Sequence, residues 1–261
     1  MKKSIDNKKV VKKLYDEFFD DYLHDRFVLD KTGVRVTERL NYSMELNPFD
    51  TDFEVYGRKA PEEYCQKERA WYLSQSLSID PYMSDIKIWN QVCGKTTREI
   101  NSNYGWCIFS DENYKQFDNA ISELFKNPSS RRALMIYNRP SMWKDYNRDG
   151  MSDFICTTAT QLFIRNDRLY YVVNQRSCDL TTGFWNDFYW HSYVYKRVLE
   201  ELNAFVEDSV LPGTILYQCN SIHLYERNFK MFDTIAKSSL LNRVRYALHN
   251  RKLNRRERTS V

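Results

Sequence analysis

The sequence predicts an α+β fold. Helix-spaced and strand-spaced apolar patterns are interspersed without a regular strand–helix–strand repeat, and the strongest strand signals form one hairpin. A chain of 261 residues, 42% hydrophobic and 28% charged, is long enough and apolar enough for a real core. Seven Gly and six Pro are too few for a linker-rich or low-complexity chain. No internal repeat or Pro/Gly/Ser-rich linker divides it, so one domain over residues 1–261 is expected, with a basic C-terminal extension from about residue 243.

Each element has a local reason. Val11, Leu14, Phe18, Phe19 and Leu23 recur at helical spacing over 8–24. "DKTGVRVTE" (30–38) is a turn into a strand. "APEEYCQKERAWYLSQSL" (60–77) opens with Pro and acids, a helix-start signal. Residues 110–127 read as a helix with Ser110 as its cap. "RRALMIYNRP" (131–140) is a short strand stopped by Pro. Residues 158–177 carry two β-branched and aromatic runs around Asn166-Asp167, a hairpin. An aromatic helix follows over 184–207, then a strand running into a polar turn over 213–228.

Net charge is +4, mild enough to suit an anionic small molecule and no argument by itself for nucleic acid. Most of the excess lies at the C-terminal end, in Arg243, Arg245, Arg251, Lys252, Arg255, Arg256 and Arg258 against Glu257. This reads as a solvated helix end with a frayed terminus; the sharper alternative is a docking patch for an acidic or phosphate-rich partner. Six cysteines form no C-x-x-C pair, which argues against a zinc ribbon or a thioredoxin-type motif. The N-terminus has no apolar signal region, and no run of about 18 apolar residues exists to span a membrane. A reducing cytoplasm is the expected home. There is no phosphate loop, no G-x-G-x-x-G and no zinc-deaminase pattern. Four unclustered histidines make a catalytic metal an unattractive reading.

What remains is short polar motifs in apolar settings. Cys156 precedes the hairpin and Arg176 ends it. Their similar distances from the turn bring them together, and a cation beside a thiol favours the nucleophilic thiolate. Arg131 and Arg132 sit before a strand, where neighbours point to opposite faces. Alternation keeps them from sharing an internal partner, so one or both would reach across an interface. Arginine suits phosphate because its planar fork donates two hydrogen bonds. Asp187 lies among Phe184, Trp185, Phe188, Tyr189 and Trp190. A carboxylate there needs water or a polar partner.

Eight stretches, in matching order and spacing, resemble the thymidylate synthase family, and more closely its T-even-type bacteriophage branch of deoxycytidylate hydroxymethylases. They are "DKTGV" (30–34), "KERAWYLSQSL" (67–77), "IWNQV" (88–92), "EINSNYGW" (99–106), "NPSSRRALMIYNRPSM" (127–142), "DYNRDGMSDFICT" (145–157), "QRSCDLTTGFWND" (175–187) and "SIHLYERNF" (221–229). The resemblance implies a mixed, mainly antiparallel sheet packed with helices and a sheet-to-sheet homodimer. It implies transfer of a one-carbon unit from 5,10-methylenetetrahydrofolate, as co-substrate and without metal, to carbon 5 of dCMP. A phage nucleotide-synthesis complex is a further implied partner.

Residue by residue, the resemblance makes Cys156 the nucleophile that adds to carbon 6 of the pyrimidine. Glu68 organises water and proton transfers, and Tyr104 stands beside the nucleophile. Lys31, Arg176 and Ser177 match phosphate-binding positions. Arg131 and Arg132 match those that come from the partner subunit, which answers the strand-geometry puzzle. His223 and Tyr225 match residues holding the sugar 3′-hydroxyl. Asp179 matches a folate contact; Gln161 and Trp89 line the pocket, Gln161 on the substrate side and Trp89 on the cofactor side.

Asp187 stands where the synthases have Asn. Asn can donate to the uracil 4-oxygen and accept from the 3-NH. Cytosine reverses both, and a carboxyl can accept from its amino group and share a proton with its ring nitrogen. Aromatic surroundings should raise the pKa of Asp187 by desolvation. The plain alternative is a carboxylate capping the helix that begins there; with the motif, cytosine recognition is the reading taken. Val92 stands where the synthases have a second Trp, and the lost bulk could admit water to finish the reaction. Departures at Thr158, Cys178, Leu180, Thr181 and Thr182, and the unfamiliar basic tail, leave Cys156 and Arg176 untouched. Alternatives are a dUMP hydroxymethylase or thymidylate synthase, a CMP hydroxymethylase and, from another class, a non-catalytic nucleotide or nucleic-acid binder.

Overall fold

Asp6 starts the first helix, α1 (Asn7–Leu23), by accepting from the Lys9 N–H. Val11, Leu14, Phe18 and Phe19 are buried on one face, as their spacing predicts. The structure, a computed structural model, describes residues 5–205 and 209–259, and the side chains of all of these except 205 and 253–259. β1 (Val28–Leu29) and β2 (Arg35–Leu46) flank a turn in which Asp30 Oδ1 accepts from the Thr32 and Val34 N–H groups. Gly33 supplies the positive φ of +80° that this turn requires.

α2 (Glu62–Ser74) follows Pro61 and stops at Gln75, whose φ is 58°. α3 (Lys87–Val92) and α4 (Tyr104–Phe109) are single short helices, too brief to show a periodicity. The helix expected over 110–127 is α5 (Gln116–Lys126) only. Tyr114 and Lys115 have left-handed backbone (φ 62° and 46°) that a continuous helix cannot contain. Ser110 closes α4, and its hydroxyl accepts from the Asn113 N–H in the intervening turn.

β3 (Leu134–Ile136) is shorter than expected, and α6 (Met142–Asp145) follows Pro140. β4 (Thr157–Arg165) and β5 (Arg168–Gln175) form the expected hairpin. Asn166 and Asp167 both take positive φ, 48° and 58°, as a tight two-residue hairpin turn demands. β6 (Cys178–Asp179) is brief. It leads into α7 (Gly183–Phe205), β7 (Leu211–Tyr225), α8 (Met231–Lys237) and α9 (Leu240–Thr259). Residues 206 and 207 of the expected aromatic helix, and 260 and 261 of the basic extension, lie outside the described residues.

The sheet runs β1-β2-β7-β5-β4-β3, with β6 also on β7. Pairings are antiparallel except β5 and β6 with β7. α7 is the crossover that a parallel pairing needs. Leu169, Tyr171, Val173, Ile215 and Tyr217 are fully buried. They join Phe184, Phe188, Val194 and Val198 of α7 in one core cluster. The other sheet face is less covered: Leu134 is paired with Gln161 and Phe163 with Tyr170, none of them buried, and Leu134 and Ile136 are 42% and 50% accessible.

The described part of the basic extension is a docked helix. Arg245 pairs with Asp20, His249 Nδ1 contacts Leu23 O at 3.0 Å, and Tyr246 donates to Asp233 at 2.6 Å. The side chains of Arg255, Arg256, Glu257 and Arg258 lie outside those described.

Candidate active site

A cavity of about 1130 Å³ opens between α2, α3, α4 and the start of α7. Its wall includes Glu68, Trp89, Tyr104, Cys156 and Asp187, residues brought from five separate stretches of chain. A cavity of this volume lies at the upper end of the range for a small-molecule site.

Cys156 sits just before β4. Arg176 follows β5, and the hairpin ladder carries its N–H to Cys156 O at 2.9 Å. Arg176 Nε donates to Ile155 O at 2.9 Å and Nη2 to Phe154 O at 2.5 Å, so the guanidinium is held against the loop that bears the thiol. The expected lowering of the thiol pKa is not what results. Burial pushes it up to about 12, and Arg176 only partly opposes this. Tyr104 is buried beside it, its hydroxyl accepting from the Thr157 N–H at 3.2 Å.

Glu68 is 4% exposed on the inner face of α2. Burial raises its carboxyl to about 8; the Tyr64 hydrogen bond opposes and the Asp187 charge adds to the rise. Tyr64, one turn earlier, donates to Glu68 Oε1 at 2.7 Å and accepts from Trp89 Nε1 at 3.0 Å. Sequence reasoning gave Tyr64 no role; the four-residue spacing on one helix face was the available signal.

Asp187 lies inside α7, four residues after its first residue, so it does not cap the helix. Burial raises its carboxyl to about 7, while Gln175 Nε2 donates to Oδ2 at 2.6 Å and lowers it. In the sequence Gln175 is marked only by its place at the start of the 175–187 motif. It is fully buried and is the direct partner of Asp187.

Gln161, expected in this pocket, is not on the cavity wall. Its amide donates to Arg131 O at 2.7 Å on the less covered sheet face. A register shift between Thr157 and Ala159 inverts the alternation, so Thr160 and Leu162 turn inward and Gln161 outward. Val92 is also off the wall, packed on the core at the end of α3, so its small size does not widen the cavity. The wall there is Ile88 and Trp89.

The remaining expected residues lie outside the cavity lining. Lys31 is exposed in the β1–β2 turn. Arg131 and Arg132 are exposed and precede β3, which starts at Leu134, so strand alternation does not separate them. Arg132 pairs with Glu123 at 2.9 Å within its own chain. Ser177 is half-buried after β5. His223, paired in register with Asp179, stacks edge-on with Tyr225 at 5.0 Å. Asp179 accepts from Thr181 at 2.6 Å and from Arg227 at 3.2 Å; Thr181 and Arg227 do line the cavity.

Among the described residues no group of three or more His, Cys, Asp or Glu could hold a metal ion, and no helix is long and apolar enough to cross a membrane. The sequence model of the thymidylate synthase family matches residues 15–260. The chain is 44% identical over 212 residues to the deoxycytidylate 5-hydroxymethyltransferase of Enterobacteria phage T4, covering 79% of this chain and 82% of that protein. The phage T6 protein of the same description is 44% identical over 210 residues, with the same coverage. A thymidylate synthase of Fusobacterium nucleatum is 25% identical over 206 residues, covering 77% and 70%.

Proposed function

The chain belongs to the thymidylate synthase family, and we propose that it is an enzyme transferring a one-carbon unit from 5,10-methylenetetrahydrofolate to carbon 5 of dCMP, with water giving 5-hydroxymethyl-dCMP and tetrahydrofolate. The observation that carries this reading is Asp187, a carboxyl facing the cavity 2.6 Å from its glutamine partner, where a uracil enzyme of the family would have an amide. Its ionised form accepts the cytosine amino group and repels the uracil 4-oxygen.

The residues then have these roles. Cys156 adds to carbon 6 of the ring, which makes carbon 5 nucleophilic. Arg176 and Ser177, with Lys31, bind the phosphate. His223 and Tyr225 hold the sugar. Folate occupies the rest of the cavity against Trp89 and the rim that Asp179 supports through Thr181 and Arg227. Glu68, raised to about 8 by burial, exchanges protons near neutral pH and orders the water that completes the hydroxymethyl group. Asp187 shares a proton with the ring nitrogen as the thiol adds and leaves.

The less covered sheet face fits a sheet-to-sheet homodimer, in which Arg131 and Arg132 would reach the partner's phosphate site. We place the reaction in the cytoplasm of a phage-infected bacterium, feeding synthesis of modified DNA, as a single domain over 1–261. Mass spectrometry of products from dCMP, CMP and dUMP, each with methylenetetrahydrofolate, tests the assignment. A product of dCMP that carries a hydroxymethyl group in place of one hydrogen, a net gain of CH2O, is expected; turnover of dUMP alone refutes it.

A further inference from the structure

Gln175 is fully buried at the end of β5, and both hydrogens of its amide are directed at acceptors. One goes to Asp187 Oδ2 at 2.6 Å, the other to Thr157 Oγ1 at 3.4 Å. The line continues inward: Thr157 Oγ1 lies 3.3 Å from His191 Nε2, and His191 Nδ1 lies 3.3 Å from the Tyr171 hydroxyl. Burial drives the His191 pKa down to about 3, so the imidazole is neutral, with one nitrogen to accept and one to donate. Thr157 can then donate to Nε2 while accepting from Gln175. This ordering leaves the amide nitrogen, and not its oxygen, facing Asp187. The cost is visible at the other end: Gln175 Oε1 is buried without a hydrogen-bond partner. An orphaned buried acceptor is disfavoured unless something holds the group in place.

We infer that Gln175 is a specificity-determining residue of the base pocket: its amide shifts Asp187 toward the ionised, acceptor-only form that rejects uracil. A neutral Asp187 is permissive. Its hydroxyl and carbonyl can satisfy cytosine in one orientation and uracil in the other, as an amide satisfies uracil. An ionised Asp187 cannot donate to the uracil 4-oxygen. A fixed donor at Oδ2 stabilises the ionised form, because hydrogen bonds to a charged acceptor are stronger than those to a neutral one. Gln175 touches Asp187 and not the reacting atoms, so its role is positioning.

The inference rests on the cytosine reading of Asp187 given above. The titratable groups facing Asp187 are Cys65, Glu68 and Tyr72 from α2, Tyr104 from α4, Cys156 before β4, Cys178 from β6 and Tyr217 from β7. Burial holds the thiols and phenols neutral at ordinary pH. Only Glu68 titrates in the same range, so it is removed from the test by Glu68→Gln.

Isothermal titration of the full chain with dCMP and with dUMP, without folate, reads the point. Measurements from about pH 6 to pH 9 compare Glu68→Gln with Glu68→Gln/Gln175→Met. With Gln175 present, the ratio of dCMP to dUMP affinity should rise as Asp187 ionises. With Met, which keeps the volume and loses the donor, that rise should move up by about one pH unit, and the preference for dCMP at neutral pH should fall several-fold. Gln175→Glu is the second variant: two carboxyls sharing a proton should move the rise in the same direction and further. Melting temperatures confirm that each variant folds. A rise at unchanged pH in both variants overturns the inference and leaves the cytosine reading intact. No preference for dCMP at any pH with Gln175 present overturns both.

Discussion

Arg176 Nη2 lies 3.8 Å from Cys156 Sγ, yet the thiol stays protonated because its burial outweighs the neighbouring cation. The resting protein thus holds Cys156, the proposed nucleophile, as a neutral thiol. Iodoacetamide should alkylate Cys156 in the free chain at neutral pH at least about tenfold more slowly than a small free thiol, since the thiolate is the reactive form. Peptide mapping measures this, and rapid labelling at Cys156 would contradict it. Cys156→Ala should abolish turnover and tritium release from carbon 5 while leaving dCMP affinity within a few-fold of the parent.

Asp187→Asn should shift preference from dCMP toward dUMP. The amide supplies the donor that the uracil 4-oxygen needs, and loses the proton-sharing that cytosine needs. Mispaired polar groups in a closed site cost about 1–3 kcal/mol each, so the ratio of catalytic efficiencies should change tens- to several-hundred-fold. Competition assays with both nucleotides settle it; an unchanged ratio means Asp187 does not read the base.

The two carboxyls make stability fall as pH rises. Asp187 and Glu68 are raised to about 7 and about 8, above their ordinary values of 3.8 and 4.5. Between those limits the folded chain binds more protons than the unfolded one, so stability is greatest at the acid end of the window and declines through the folded pKa values. Asp187→Asn and Glu68→Gln should each raise the melting temperature at pH 8, by an amount on the order of 1–3 kcal/mol in stability, and the gain should vanish near pH 4.5. Thermal denaturation at the two pH values checks the sign.

Tyr64→Phe removes a hydrogen bond that favours ionised Glu68 and leaves Trp89 Nε1 without its acceptor. The Glu68-dependent limb of the pH–rate profile should move upward, by up to about one unit. A limb that stays in place while kcat falls would assign Tyr64 to packing alone.

Mixing Arg131→Ala and Cys156→Ala, each inactive, should restore partial activity after subunit exchange, because one mixed site holds a native thiol and a native partner arginine. Failure to complement despite demonstrated exchange places Arg131 outside the partner's site.

Much of this was legible locally. The hairpin follows from Asn166-Asp167, and α1 from its apolar spacing. The motif residues Cys156, Glu68, Tyr104, Trp89 and Asp187 do converge on one cavity. What failed depended on geometry that residue types do not announce. Counting alternate residues from Thr157 puts Gln161 on the inner face; one irregularity before Ala159 puts it outside. The same ladder leaves Gln175 inside, paired with Thr157, where no periodicity marks it as the partner of a residue in another element. Two left-handed residues, Tyr114 and Lys115, likewise cut a helix that composition alone would extend.

The central ladder joins Val36–Leu46 near the start of the chain to Ile215–Tyr225 near its end. During synthesis β2 must therefore wait for nearly the whole chain before it meets β7, its partner in the longest pairing of the sheet. Non-local pairing of this kind is slow and leaves unpaired strand edges open to other chains in the meantime. A ribosome-released chain truncated before β7 would lose that ladder and the sheet position of β6 together, and with them the support of the cavity rim at Asp179 and Thr181. Early termination should yield aggregating fragments with no partial activity.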